Sequence, residues 1–245
     1  MSVVEGIFGL QGKTIAVVGA TGAVGRACAT LCGQLGAGLV LCSRKVEEAE
    51  HLPSGARVAF DLENAAAFAA VVQQMPRLDG VVFSAGITAV RPLVMTDATL
   101  LRRIFTVNTE GPLALLRELV RGRRLNPGAS VVLLGSVAGL RGSTGYTAYS
   151  ASKAALSAAV RCMAVELAAV PIRVNVISPG MLETPMAESA DRLQTVAQAA
   201  AYSARYPLGK GLPMDAAKAA AFLLSPASRW ITGTELVVDG GCTLH

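Results

Sequence analysis

The chain has 245 residues, 52% of them hydrophobic and only 4% aromatic, with a formal net charge of +5. That length fits one large α/β domain or two small ones and supplies a sizeable core. No apolar run approaches the roughly 18 residues of a membrane span. His51 and His245 are the only histidines, so no histidine-rich metal site is expected, and the basic residues lack the interleaved aromatics of a nucleic-acid surface.

Met1–Leu10 carries an acid and no basic n-region, so it does not read as a signal peptide. The expectation is a cytoplasmic protein with neither membrane nor nucleic-acid partners. The five cysteines, Cys28, Cys32, Cys42, Cys162 and Cys242, are odd in number and form no C-x-x-C pair. They read as small buried thiols in a reducing compartment. A mean hydropathy of +0.49 without a membrane span points to buried subunit contacts.

Lys13–Gly19 is a short Val/Ile run, as for a strand buried on both faces. It leads into Gly19-Ala20-Thr21-Gly22-Ala23-Val24-Gly25 and then a helical pattern closed by Gly36. Strand, glycine turn, helix is the context in which glycines admit a pyrophosphate to a helix N-terminus. The spacing is G-x-x-G-x-x-G, and a tight turn alone can use the same glycines. Leu39–Cys42 is a second strand, followed by Ser43-Arg44-Lys45. An acid at this point holds a ribose 2′-OH, whereas an Arg accommodates a 2′-phosphate. With no acid before Glu47, the residues favour NADP(H) over NAD(H).

Arg57–Phe60 is a third strand, ending at Asp61-Leu62. Asn64–Met75 reads as a helix, and Asp79–Phe83 as a fourth strand ending at Ser84-Ala85-Gly86. Thr96–Arg121 reads as a long helix around Asn108, with an irregularity expected at Gly111-Pro112. Arg117, Arg121 and Arg124 are expected on one helix face, either solvated or meeting an acidic partner. Ala129–Leu134 and Ile172–Ile177 are strands five and six, the latter stopped by Ser178-Pro179-Gly180. Met186–Arg205 reads as helical but weakly patterned, a candidate flap over about 186–206. Asp215–Leu224 is a helix and Glu235–Val238 the seventh strand.

Strands alternating with helices imply a Rossmann-type, doubly wound, seven-stranded parallel sheet with helices on both faces. No linker divides it, so residues 1–245 form a single domain. In such sheets the site lies at the C-terminal strand ends. Gly19–Gly25, Ser43-Arg44, Asp61-Leu62, Ser84–Gly86, Ser136 and Pro179-Gly180 all fall there.

Ser136 follows the fifth strand. Tyr149 comes thirteen residues later and Lys153 four after that, on an Ala-rich helix without internal Gly or Pro. Positions i and i+4 share a helix face. A Tyr and a Lys so spaced usually make a packed ring beside a solvated charge; the shared location of the other stretches argues for a site. A phenol has a pKa of about 10, and a nearby ammonium stabilises the phenolate. The trio suits proton transfer to a carbonyl or alcohol oxygen held by the serine.

From Phe8 to about Gly241 the chain resembles the short-chain dehydrogenase/reductase family, in its compact single-domain branch. The resemblance rests on Ser136 with Y-x-x-x-K at Tyr149–Lys153, Asn108 in VNTEG, SPGMLETPM at Ser178–Met186 and ITGTELVVDGG at Ile231–Gly241. It implies Tyr149 as general acid/base and Lys153 holding the nicotinamide ribose. It implies Ser136 orienting the substrate oxygen and Asn108 supporting a water-linked relay. Gly19, Thr21, Gly22, Val24 and Gly25 would line the phosphates, Asp61 and Leu62 the adenine, and Ser84, Ala85 and Gly86 the adenosine side. Pro179 and Gly180 open the nicotinamide-side loop, where Leu182 and Thr184 would meet the nicotinamide and phosphates.

The chain departs from the family at Val18, where Thr is usual. It departs at Gly22 and Ala23, where a polar residue and a glycine are common, and at Phe83-Ser84, where two asparagines usually stand. None of these removes a catalytic group. The resemblance leans toward the β-ketoacyl-acyl-carrier-protein reductases and related carbonyl reductases. It implies an NADP(H)-dependent enzyme acting on a ketone or secondary alcohol, free or bound to a carrier protein, and a homotetramer built through the two long central helices. The alternatives are a non-catalytic NADP(H)-binding regulatory or scaffold protein, and an NAD-dependent alcohol or sugar dehydrogenase. The substrate pocket is expected from Ala138–Thr147 and the flap, with Arg141, Tyr146, Tyr202, Arg205 and Tyr206.

Overall fold

The computed structural model describes residues 3–191 and 204–244. Within them, seven parallel strands form one sheet: β1 Thr14–Val18, β2 Gly38–Ser43, β3 Ala56–Ala59, β4 Leu78–Phe83, β5 Leu125–Leu134, β6 Arg173–Pro179 and β7 Glu235–Val238. Their spatial order is β3-β2-β1-β4-β5-β6-β7. The chain therefore reverses its direction of travel between β1 and β4, which pair from Ile15↔Gly80 to Val18↔Phe83. At such a switch point the loops leaving neighbouring strands part to opposite sides and open a crevice.

The helices are α1 Val3–Phe8, α2 Ala23–Gln34, α3 Phe68–Gln74, α4 Ala98–Phe105, α5 Gly111–Arg121, α6 Thr147–Leu167, α7 Pro185–Asp191 and, last, Pro213–Leu224, which we number α8. The alternation of side chains along β1 explains the layers. Ile15 and Val17 pack with Cys28 and Cys32 of α2 and Ala217 and Ala220 of α8. Ala16 and Val18 face the other way, toward Phe68 of α3, Leu115 of α5 and Leu156 and Val160 of α6. A strand covered on both faces has no polar side to show, hence the unbroken apolar runs seen in the sequence.

Several elements differ from the sequence reading. The helix expected from Asn64 begins as a tight 3₁₀ turn at Ala65–Ala67 before α3. β5 starts at Leu125 rather than Ala129, with an irregular register between the Leu78↔Leu125 and Gly80↔Ser130 pairs. α1 carries no buried residue, so no apolar periodicity marked it. The long helix is interrupted between α4 and α5 by a π turn, Thr106–Glu110, where Gly111 N–H donates to Thr106 O five residues back. Pro112 has no N–H to give the carbonyl of Asn108, so the regular ladder breaks there.

Arg124 is not on the face of α5. The chain turns at Gly122 and at Arg123, which adopts φ 51°, and the Arg124 guanidinium reaches back to Gln73 O at 2.9 Å. Arg117 and Arg121 both pair with Glu118. The thiols also divide: Cys28, Cys32, Cys42 and Cys242 are buried, whereas Cys162 is exposed. Burial pushes the Cys32 and Cys42 thiols up to about 12. The expected flap falls partly on α7, and its residues 192–203, including Tyr202, lie outside the described residues. Among the described residues no helix is long and apolar enough to cross a membrane.

Candidate active site

A cleft of about 580 Å³ opens at the C-terminal ends of the strands, over the β1/β4 switch point. Its floor is built by close backbone approach. Ser84 N–H donates to Val18 O at 2.9 Å, and Ser84 Oγ donates to the same carbonyl at 2.8 Å. Gly19 adopts φ +88°, and a Cβ there would sit 2.5 Å from Ala85 N; a Cβ on Gly25 would run into Gly19 O and Ser84 Oγ. Both positions thus require glycine. Gly22 caps α2 in an extended conformation with no side chain to offer the first-turn N–H groups. Open N–H groups at a helix N-terminus are a place for an anion. Thr21 Oγ1 and Ser43 Oγ share a hydrogen bond of 2.8 Å across the loop ends.

Toward one end of the cleft Arg44, at 63% side-chain exposure, stands 3.9 Å from Asp61. Leu62 lies beside it, and Val24 and Ala85 also line the wall. The residues present therefore fit a dinucleotide: a glycine cradle a Cβ would fill, an uncapped helix N-terminus for a pyrophosphate, and a solvent-facing guanidinium at the ribose end.

At the other end the trio comes together. Ser136 leaves β5 in an extended conformation, and its Oγ accepts from Ala138 N–H at 3.1 Å, starting a short turn at Val137–Gly139. That turn packs tightly on α6, since a Cβ on Gly139 would lie 3.0 Å from Ala154 N. Tyr149 and Lys153 occupy the first two turns of α6, with Lys153 Nζ 5.9 Å from the Tyr149 ring centroid. Lys153 is only 4% exposed and donates to Leu134 O at 2.6 Å. Burial lowers its pKa from 10.5 to about 8. The ammonium thus sits in a water-poor environment where its field on a neighbouring phenol is strong. Tyr146 stands edge-on to Tyr149, ring centroids 6.1 Å apart.

Asn108 does not line the cleft; it is fully buried behind it. Its Oδ1 accepts from Ile87 N–H at 2.8 Å, and its Nδ2 donates to Ile87 O at 2.9 Å and Ser152 Oγ at 3.0 Å. Ser152 Oγ in turn donates to Tyr149 O at 2.7 Å. Both N–H groups of the amide are therefore committed to tying the Gly86-Ile87 loop to α6. Pro112, four residues on, has no N–H to offer the backbone carbonyl of Asn108.

Pro179, Gly180, Leu182 and Thr184 line the far wall. A Cβ on Gly180 would meet the Tyr206 ring and Asp239, and Tyr206 Oη accepts from Met181 N–H at 3.1 Å. Of the pocket residues expected from sequence, Tyr146 and Tyr206 line the cleft. Arg205 is exposed. Arg141 turns away, its guanidinium donating to Cys242 O and lying 3.3 Å from Cys242 Sγ.

The family model described as Enoyl-(Acyl carrier protein) reductase matches residues 19–243. The chain is 33% identical over 242 residues to 3-oxoacyl-[acyl-carrier-protein] reductase of Bos taurus, covering 95% of this chain and 98% of that protein. It belongs to the short-chain dehydrogenase/reductase family. This is an oxidoreductase family that interconverts C=O and CH–OH with a nicotinamide cofactor. Another relative, carbonyl reductase family member 4 of Xenopus laevis, is 32% identical over 244 residues, covering 95% and 99% of the two chains. A solved chain from Beutenbergia cavernae with bound NADP at low occupancy superposes with a TM-score of 0.87 at 28% identity, covering 98% and 100%.

The short-chain dehydrogenase/reductase cleft also uses residues the sequence reading passed over: Phe60, Ile87, Thr88 and Val107 line it. Phe60 and Ile87-Thr88 directly continue stretches at the strand ends, and that adjacency was the available signal. Val107, within the π turn Thr106–Glu110, carried none.

Proposed function

We propose that this member of the family is an NADP(H)-dependent carbonyl reductase, reversible as an alcohol dehydrogenase, with Tyr149 as general acid/base. The observation that carries the reading is the buried Lys153 ammonium one helical turn from Tyr149, with Ser136, just after β5, lining the same cleft. When bound, the reduced nicotinamide supplies the hydride to the carbonyl carbon. Ser136 Oγ donates to the carbonyl oxygen and fixes it, and Tyr149 Oη delivers the proton to that oxygen. Lys153 stabilises the phenolate that remains and, from the same position, can hold the nicotinamide ribose. Reprotonation of Tyr149 runs through Lys153 and a water held at the backbone carbonyl of Asn108.

Gly19, Thr21, Gly22, Val24 and Gly25 hold the pyrophosphate. Ser43 and Arg44 would hold the 2′-phosphate, with the Asp61 carboxylate 3.9 Å from the guanidinium. Asp61 and Leu62 meet the adenine; Ser84, Ala85 and Gly86 meet the adenosine side; Pro179, Gly180, Leu182 and Thr184 meet the nicotinamide. The named activities of the relatives support a 3-oxoacyl chain or another medium-sized ketone, free or on a carrier protein, as substrate. A cytoplasmic homotetramer with a substrate flap over about 186–206 completes the proposal.

The test is Tyr149→Phe in NADPH oxidation with a panel of ketones. Turnover is expected to fall by at least about a thousandfold while NADPH affinity stays within about twofold. Retained turnover would refute the mechanism. Saturable NADPH binding by the unmodified protein without oxidation across the panel would favour a binding protein that does no chemistry. A side-by-side titration with NADPH and NADH checks the cofactor: the preference for NADPH is expected to collapse in Arg44→Ala.

A further inference from the structure

Resting on the reading of Arg44 as the 2′-phosphate ligand, we propose that Arg57, which lies outside the cleft, is the positioning residue that sets NADPH over NADH. The segment after β2 has no regular structure, and Arg44, Lys45, Glu47 and Glu48 are exposed along it. Two anchors nevertheless bracket Arg44. Before it, Ser43 Oγ bonds Thr21 Oγ1 at 2.8 Å and accepts from Lys45 N–H at 3.4 Å. After it, Val46 is fully buried, and the backbone curls around a single guanidinium. Arg57 Nη1 donates to Val46 O at 2.7 Å and Glu47 O at 3.1 Å, and its Nη2 donates to Ala49 O at 3.0 Å. The segment's own closing bond, Ala49 N–H to Val46 O, is long at 3.4 Å.

Arg57 is held in place by β3, where it registers with Leu41 of β2. A planar, permanently charged fork is suited to gathering three carbonyls, and a lysine point charge on a flexible stem is not. The consequence is directional. Arg44 is mostly solvent-exposed, so ordering its long side chain on a phosphate costs entropy. A backbone fixed on both sides lowers that cost for the one ligand group Arg44 meets. The cradle at Gly19–Gly25 rests on β1, β2, β4 and α2, with Gly19 and Ala20 N–H donating to Cys42 O and Thr21 bonded to Ser43. Among the described residues no hydrogen bond joins it to the Val46, Glu47 and Ala49 carbonyls that Arg57 gathers. Loss of Arg57 should therefore weaken NADPH and spare NADH.

The experiment is fluorescence titration of the full-length protein with NADPH and with NADH, in Arg57→Met, Arg57→Lys, Arg44→Ala and the Arg44→Ala/Arg57→Met double variant. Arg57→Met is expected to weaken NADPH about tenfold and NADH less than about twofold, with Arg57→Lys in between. In the Arg44→Ala background, Arg57→Met should change the NADPH/NADH ratio no further, because the two residues act through one contact. Equal weakening of both cofactors, or an unchanged ratio in Arg57→Met, overturns the positioning role while the Arg44 result stands. If Arg44→Ala itself leaves the ratio unchanged, the underlying 2′-phosphate reading falls instead. NADH binding reports folding within the same titration. Should Arg57→Met fail to fold, Arg57→Lys and Arg57→Gln are judged by the same ratio.

Discussion

Lys153 and Thr88 show what polar groups at the cleft cost the fold. Lys153 has its pKa lowered to about 8 by burial, against 10.5 in an exposed chain. Between these values the unfolded chain binds more protons, so stability rises with pH through that window and the penalty is fully present below it. In the cofactor-free protein, the stability advantage of Lys153→Met over Lys153 should shrink by about 3 kcal/mol between pH 8 and pH 10.5. Urea unfolding at both ends of the window measures it, and a pH-independent difference would show that Lys153 titrates normally. Thr88 Oγ1 is, among the described residues, a buried side-chain oxygen with no hydrogen-bond partner, and Thr88 lines the cleft. An orphaned hydroxyl is destabilising, and valine has the same shape without it. Thr88→Val should stabilise the cofactor-free protein by about 1 kcal/mol. A loss of stability in the same urea titration would show that the hydroxyl is satisfied.

At the scale of elements, the α4–α5 helix is the informative case. Its π turn, Thr106–Glu110, brings Asn108 to Ile87 and Ser152, and Pro112 denies the Asn108 carbonyl its helical donor. Gly111 fits because a Cβ there would come within 2.7 Å of Leu62 O. Pro112→Ala supplies an N–H to that carbonyl and favours a regular helix. We expect turnover to drop by about tenfold with NADPH affinity within about twofold, since only proton supply is altered. Equal activity would remove the carbonyl from the relay. The sequence marked an irregularity at Gly111-Pro112, and the break lies just before it, because a proline disturbs the ladder on its N-terminal side. The Ser136–Tyr149–Lys153 arrangement was legible because it needs only helical periodicity and a strand end. The three-way commitment of the Asn108 amide was not, because its partners lie 21 and 44 residues away.

On the scale of the whole molecule, the cleft draws on loops after β1, β2, β3, β4, β5 and β6, so a ligand there braces six of the seven strands. NADPH at about one hundred times its dissociation constant should stabilise the protein by about 2.7 kcal/mol. For a domain of this size that raises Tm by roughly 5–10 °C in a single transition. A calorimetric scan with and without NADPH checks it, and two separated transitions would show that the halves of the sheet melt independently. The sequence alone determined the strand–helix alternation, the seven strands and the site at their C-terminal ends. These follow from local patterns: apolar runs of strand length, helical spacing, and glycines where backbones must touch. It also determined the family, through motifs that are each contiguous. Only the tertiary structure decided that Arg124 leaves its helix, that Arg141 serves the C-terminal turn, that Cys162 is exposed, and that Arg57 clamps the segment bearing Arg44. Each of these depends on where a long side chain finds a partner distant in the chain, or on which helix face neighbouring elements cover. Local periodicity carries no information about either.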